Sequence, residues 1–347
     1  MKAGSGGAVA EIKRRVRYGD KERVQMRIHY REIENGIEVV RCFGSDGEIT
    51  IPEMIGGKPV IRAAAYAFSA RKGREDEDIL VCETGELLLF RQQETLLAGE
   101  NVLRVRFPDT LREIGKYIFY GCRNLEHLSF SDSLTEIGSG AFTGCRSLNS
   151  LNVHLCRGKR SCVPEILGDL WQRIDVEFWA ESAGSRNRQV RLVFPEHYEE
   201  AVENTPARIL FTQHHGSGNN YRQCFYNKEM DYRKYDDLFS VAKAHDRISV
   251  LTDLIFARLM YPEDLTEPAR ERYESYIREH GAEAAAYLTD TENHEALRLM
   301  SERMLWTPET IDAAVDYAAS VRAGEILSFL LDEKQKMFPA GKKKYEL

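Results

Sequence analysis

The sequence has no apolar run approaching the roughly 18 residues that a membrane span requires. Its opening residues, MKAGSGGAVAEIKRR, lack the apolar core of a secretory signal and place their charges after the small residues. Disulfide pairing has little support either: the seven cysteines are an odd number, whereas a secreted disulfide framework uses them in pairs. The C-terminal KYEL resembles an ER-retention tetrapeptide only loosely, and without a signal peptide it has no meaning. These absences lead to the expectation of a cytoplasmic protein with reduced thiols and no membrane partner. An excess of basic charge is missing as well. Forty-eight Lys and Arg stand against 55 Asp and Glu, a net charge of −7, so the electrostatic footprint of a general nucleic-acid binder is not there. The short runs Lys13-Arg14-Arg15 and Lys342-Lys343-Lys344 read as solvated ends.

Catalytic and metal-binding signatures are also lacking. There is no G-x-S-x-G elbow and no G-x-x-x-x-G-K-[ST] loop, and the nine histidines are scattered without a paired nucleophile. No two cysteines have the C-x2-C spacing of a structural zinc site. Cys156-x5-Cys162 near His154, and Cys224 near His214, therefore read as ordinary thiols. No cofactor and no metal are expected.

What is there is a repeat. Residues 102–124, VLRVRFPDTLREIGKYIFYGCRN, align without a gap on 125–147, LEHLSFSDSLTEIGSGAFTGCRS. Val105 matches Leu128, Phe107 matches Phe130, Leu111 matches Leu134, Ile114-Gly115 matches Ile137-Gly138, Phe119 matches Phe142, and Gly121-Cys122 matches Gly144-Cys145. A third unit opens at Leu148, Leu151 and Val153. Val105-x-Phe107 and Leu128-x-Phe130 alternate as a strand buried on one face does. The Leu111 to Ile114 and Leu134 to Ile137 steps should turn the chain along an outer side, with Phe119 and Phe142 pointing back to the interior. Gly121 and Gly144 should supply positive φ. The twice-repeated cysteine suggests a small apolar side chain packed beneath each turn. One such unit cannot close a core, so neighbours must stack.

The pattern of strand, proline, I-G-x-x-A-F and G-C-x-x-L resembles the BspA-type leucine-rich repeat of bacteria. Residues 33–70 resemble a first unit of that family, with Ile49-x-Ile51-Pro52 as strand, Gly56-Gly57 as hairpin turn, and Ala67-Phe68 facing the core. Ala64 replaces the family's glycine there, and Ala70-Arg71 its G-C pair. Residues 74–101 keep only an apolar stretch, so one unit is degenerate or interrupted by an insertion. The resemblance covers about 33–155 and implies a protein-binding solenoid. Some relatives of this kind are cell-surface adhesins, a second reading that the missing signal peptide opposes.

Beyond the repeats, Val176-x-Phe178 suggests one more strand. Val190 to Pro195 repeats the strand-then-proline pattern, followed by a helical-looking HYEEAVEN. Residues 156–200 are expected to be decayed terminal repeats capping the solenoid. From Tyr235 the texture is helical, with helices at 270–278, 282–288, 295–304, 309–322 and 323–337. Thr307-Pro308 marks a helix start. Glu295-Ala-Leu297-Arg-Leu299-Met300 parallels Glu325-Ile-Leu327-Ser-Phe329-Leu330 at a shift of 30, which resembles ankyrin-type helix pairs. The expected organisation is α+β: an N-terminal segment 1–32, a solenoid 33–200, a connecting region 201–234 and a helical domain 235–347.

Two candidate sites follow. In a leucine-rich solenoid the residues between buried strand positions face outward. The 23-residue spacing puts Arg104, His127 and Ser150 in one column and Arg106, Ser129 and Asn152 in the next, a polar patch suited to a protein partner offering carboxylates or phosphates. The loop QHHGSGNNYRQCF, 213–225, admits an anion or phosphate site built from His214, His215 and Arg222 and its backbone amides. The preferred reading of this loop is a hinge between domains, in which Tyr221 and Arg222 pack across the joint. The preferred function is a non-catalytic protein-interaction scaffold. The runner-up is an enzyme or nucleotide-responsive module using the 213–225 loop.

Overall fold

The computed structural model describes residues 26–71, 78–84, 94–181, 188–204 and 209–339. Strands β1 (Met26–Ile33) and β2 (Gly36–Gly44) form an antiparallel hairpin. β3 (Glu48–Thr50) opens the first coil, and β4 (Met54–Ile55) turns into β5 (Lys58–Ala63) through Gly56 and Gly57, both at positive φ as a tight hairpin requires. β6 (Leu80–Thr84) pairs with β1 and β7 (Thr95–Leu96) with β2. The regular coils follow with β8 (Arg104–Arg106), β9 (Glu113–Ile114), β10 (His127–Ser131), β11 (Glu136–Ile137) and β12 (Ser150–His154). Helix α1 (Val163–Gly168) replaces the next outer strand before β13 (Ile174–Ala180), and β14 (Arg188–Phe194) closes the series.

The result is a β-solenoid of about five turns over residues 37–179. One sheet runs β3-β8-β10-β12-β13 in parallel, ending on antiparallel β14. The other runs β11-β9-β5-β2-β1-β6. β3 pairs directly with β8, so among the described residues no further strand of this sheet stands between them. The Leu111–Ile114 and Leu134–Ile137 steps do more than turn the chain. Glu113-Ile114 and Glu136-Ile137 pair in register as the second sheet, with Leu111, Ile114 and Leu134 buried. Residues 26–32, outside the solenoid by sequence pattern, are the strand that widens that sheet.

The interior explains the repeat. Phe68, Phe119 and Phe142 stack as a column at ring separations of 5.4 and 5.6 Å. Cys122 donates its thiol to the carbonyl of Phe68 at 3.2 Å, and Cys145 to that of Phe119 at 3.3 Å. Each thiol thus bonds one coil back, a contact a larger residue could not make. Burial pushes Cys122 up to about 12 and raises Cys145 likewise, so neither ionises near neutrality. Gly121 and Gly144 have positive φ. Gly138 is there for a different reason: a Cβ on it would collide with the backbone of Gly115 and Lys116 in the coil below. Ala64 occupies the same place in the first coil, with no earlier coil of that kind beneath it. Gly138→Ala should therefore force the coils apart and cost about 1–3 kcal/mol. A urea titration that leaves the midpoint where it was would contradict this stacking.

The C-terminal end of the solenoid departs from the expected decayed repeats. β13 continues the parallel sheet, but β14 reverses direction. The HYEEAVEN segment is not helical: β15 (Tyr198–Asn204) pairs antiparallel with β16 (Ile209–His215). Glu and Ala favour a helix locally, yet the long-range ladder with ILFTQHH wins over that local preference. The 213–225 stretch is consequently not one open loop. It is the end of β16, then α2 (Gly218–Tyr221).

Helices α3 (Tyr232–Asp237), α4 (Phe239–His245) and α5 (Ile248–Met260) follow, and α5 packs on β14. The Tyr235 hydroxyl accepts from the Val193 N–H at 3.0 Å and donates to the Val193 carbonyl at 2.6 Å, which satisfies backbone groups of the closing strand. Then come α6 (Glu267–Glu279), α7 (Gly281–Asp290), α8 (His294–Glu302), α9 (Pro308–Ser320) and α10 (Gly324–Met337). Thr307 caps α9 in a reciprocal capping box, its hydroxyl accepting from the Thr310 N–H. The turns after α7, α8 and α9 are alike, with Met304 at positive φ and Leu305 N–H bonded to Met300 O after α8. Glu292 and Arg322 both have positive φ, and Asn293 N–H donates to Leu288 O as Ala323 N–H does to Ala318 O.

Candidate functional site

The parallel register places Arg104, His127 and Ser150 side by side and Arg106, Ser129 and Asn152 beside them. Both columns are longer than the repeat alone indicated. Glu48 and Thr50 extend them at one end, and Asp175 and Glu177 at the other. Neighbouring strands lie ~4.8 Å apart, so the side chains of a column can bond to each other. His127 Nδ1 lies 2.9 Å from Ser150 Oγ, and the Trp179 indole N–H donates to Asn152 Oδ1 at 2.7 Å. The His154 ring stacks on Trp179 at 3.8 Å, with its Nδ1 2.8 Å from Asp109 Oδ2. Burial, and then the charge of Arg104, lower the His127 pKa, so the ring is neutral at pH 7.

Charge is unevenly spread over this face. At one end stand Arg104, 3.8 Å from Glu48, and exposed Arg106, which has no ion pair among the described residues. At the other end Glu177 accepts from Gln189 at 2.6 Å and pairs with Arg191 at 3.5 Å. Arg173 forms a two-pronged bond to Asp175 at 2.8 and 2.9 Å and reaches Asp253 of α5 at 2.8 Å. The acidic end is therefore neutralised internally, and Arg106, beside the loosely paired Arg104, is the uncompensated charge of the face. Sequence reasoning missed Glu48, Asp175, Glu177 and Trp179 as members of it. Their signal was present, since they alternate with Ile49 and with the Val176-x-Phe178 pair.

His127 and Ser150 form an imidazole–hydroxyl pair, but among the described residues no carboxylate bonds the second ring nitrogen. The pair also lies on an open sheet face. It lacks both the orienting group and the enclosed pocket of a nucleophilic site. No group of three or more metal-ligating side chains occurs among the described residues, and no described helix is long and apolar enough to cross a membrane.

The 213–225 residues engage separate partners. The His214 side chain lies outside the described residues. His215 stacks on Tyr198 at 4.5 Å, and its Nε2 is 3.2 Å from Glu200. Arg222 donates to backbone carbonyls throughout: Nε to Leu167 and Leu170, both at 3.1 Å, Nη2 to Gln172 at 2.7 Å, and Nη1 to Pro195 at 2.6 Å and Gly218 at 3.0 Å. Its donors are thus spent on the backbone. Burial lowers its pKa to about 10, which leaves it charged. Tyr221 packs edge-on against Tyr235 at 4.6 Å, and Ser217 N–H donates to Asp246 at 3.2 Å. The segment ties the solenoid's end to the helices.

Residues 94–157 match the model of the BspA type leucine rich repeat region. A solved structure of a T. pallidum leucine rich repeat protein is similar over 39% of this chain and 72% of that one, at 19% identity and a TM-score of 0.20. No curated protein matches the chain.

Proposed function

We propose that the protein is a non-catalytic, cytoplasmic protein-binding scaffold whose binding surface is the outer face of the β3-β8-β10-β12-β13 sheet. The observation carrying this reading is the unbroken polar register from Glu48 to Asp175 and from Thr50 to Glu177, together with a leucine-rich-repeat match, a class that typically binds proteins. Arg104 and Arg106 would receive carboxylates or phosphates of the partner, arginine being favoured at interface hot spots. The 30-residue match of Glu295–Met300 on Glu325–Leu330 supports reading the helical region as ankyrin-like helix pairs, a second surface of the same scaffold. The engaged donors of Arg222 favour the joint over an anion site for the 213–225 segment.

Replacing Arg104 and Arg106 together by alanine should remove a partner that the intact chain captures, with the thermal midpoint unchanged. Replacing Arg112 and Lys116, exposed beside the second sheet, should leave capture intact. Quantitative mass spectrometry of cross-linked captures reads both. Equal capture by all three proteins would move the binding surface off this sheet.

A further inference from the structure

Trp171 is 52% exposed on the short link between α1 and β13, and neither the solenoid core nor the sheet face uses its ring. It forms one wall of an open cavity of about 610 Å³, lined otherwise by His197, Tyr198 and Glu199. Tyr198 is also largely exposed, at 47%. Two amphipathic rings left in water around one cavity call for a ligand that uses aromatic faces.

Both walls are held in place. The His197 N–H donates to the Trp171 carbonyl at 2.9 Å. Arg222 grips the carbonyls of Leu170 and Gln172, on either side of Trp171, and that of Pro195, which leads into His197 and Tyr198. One guanidinium therefore fixes the separation of the two walls. From behind, Tyr198 is stacked on His215, which is in contact with Glu200. This positioning, set by backbone bonds and ring stacking, suits a preformed site.

The electrostatics select the ligand. Glu199 lines the cavity, and exposed Glu196 and Glu200 lie close to it along the chain. His197 has its pKa lowered, by burial first and by Arg222 second, and is neutral at pH 7. The positive charge of Arg222 is directed into five carbonyl oxygens. An indole face, a phenol face and the Glu199 carboxylate attract an organic cation and offer little to an anion.

We propose that the cleft between Trp171 and Tyr198 binds a trimethylammonium group, carried by a choline-type molecule or by a trimethylated lysine of a protein. This site is separate from the sheet face and does not rest on the reading of that face. The test titrates the full chain with choline chloride by calorimetry, beside 3,3-dimethyl-1-butanol, which has the same shape without the charge. Choline should bind saturably, and the neutral analogue at least about tenfold more weakly, a difference of about 1.4 kcal/mol. Trp171→Ala should abolish choline binding with an unchanged thermal midpoint, since the ring is half in water. Tyr198→Ala keeps the indole as a fluorescence reporter and should weaken binding about tenfold. A trimethyllysine peptide that binds tighter than choline identifies a protein ligand, and equal binding identifies the free amine. No saturable binding of either cation, or equal binding of the neutral analogue, would overturn the proposal.

Discussion

Phe119→Ala is expected to cost roughly 3–5 kcal/mol of stability, the range for truncating a buried aromatic. The ring is fully buried at the middle of the phenylalanine column. It stacks on Phe68 at 5.4 Å and Phe142 at 5.6 Å and meets Phe107 at 6.2 Å. Coil spacing is fixed by hydrogen bonds in both sheets, so the solenoid cannot close over the void, and the cavity part of the cost should be paid nearly in full. Phe142→Ala, which loses fewer ring contacts, should fall at the lower end of the same range. Phe119→Leu should recover a substantial part by refilling the space. Urea unfolding followed by circular dichroism measures all three. An unchanged midpoint for Phe119→Ala would place the ring outside the core and overturn the register of every coil.

The solenoid was legible because its information is local and periodic. A gapless 23-residue match fixes which residues are equivalent, and equivalence in a parallel stack fixes register. That is why the columns from Arg104 to Ser150 and Arg106 to Asn152 could be named before any coordinates. Helix starts were legible for the same reason: Thr307 and Pro308 act on the backbone immediately after them. What stayed hidden depends on distant partners. That β3 pairs with β8 across the intervening residues cannot be read from either strand. β15 carries helix-favouring Glu and Ala and is a strand only because β16 lies opposite it. For Arg222 the sequence suggests packing across a joint but leaves an anion site open, since nothing nearby reveals the carbonyls of residues 167 to 172 and 195 that occupy it. Asp175, Glu177 and Trp179 fell between: the alternation that marks them was visible, but membership of the face depends on β13 joining β12.

Asp236→Ala should be about as damaging as loss of a core phenylalanine, although it deletes only a carboxylate. Arg258 is fully buried, and its Nε and Nη2 donate to the two Asp236 oxygens at 2.7 and 2.9 Å. The Tyr273 hydroxyl donates to Asp236 Oδ1 at 2.8 Å. Arg258 also donates to the carbonyl of Glu263 at 2.8 Å, and its guanidinium lies over the Tyr232 ring. Hydrogen bonding and charge from Asp236 outweigh the desolvation that opposes them, so the Arg258 pKa is raised and the guanidinium stays charged. Removing the carboxylate leaves that charge buried without a counter-ion, which typically costs about 3–5 kcal/mol. The damage should spread to the solenoid's end, because Asp236 adjoins Tyr235, whose hydroxyl satisfies Val193 of β14. Amide exchange at Val193 should therefore accelerate in Asp236→Ala. Changing both partners, Asp236→Leu with Arg258→Met, removes the buried charge altogether and should restore most of the stability, as apolar replacement of a buried pair commonly does. If the double variant proves no more stable than the single one, the pair holds α3 and α5 together by its bonding geometry and not by mutual compensation of charge.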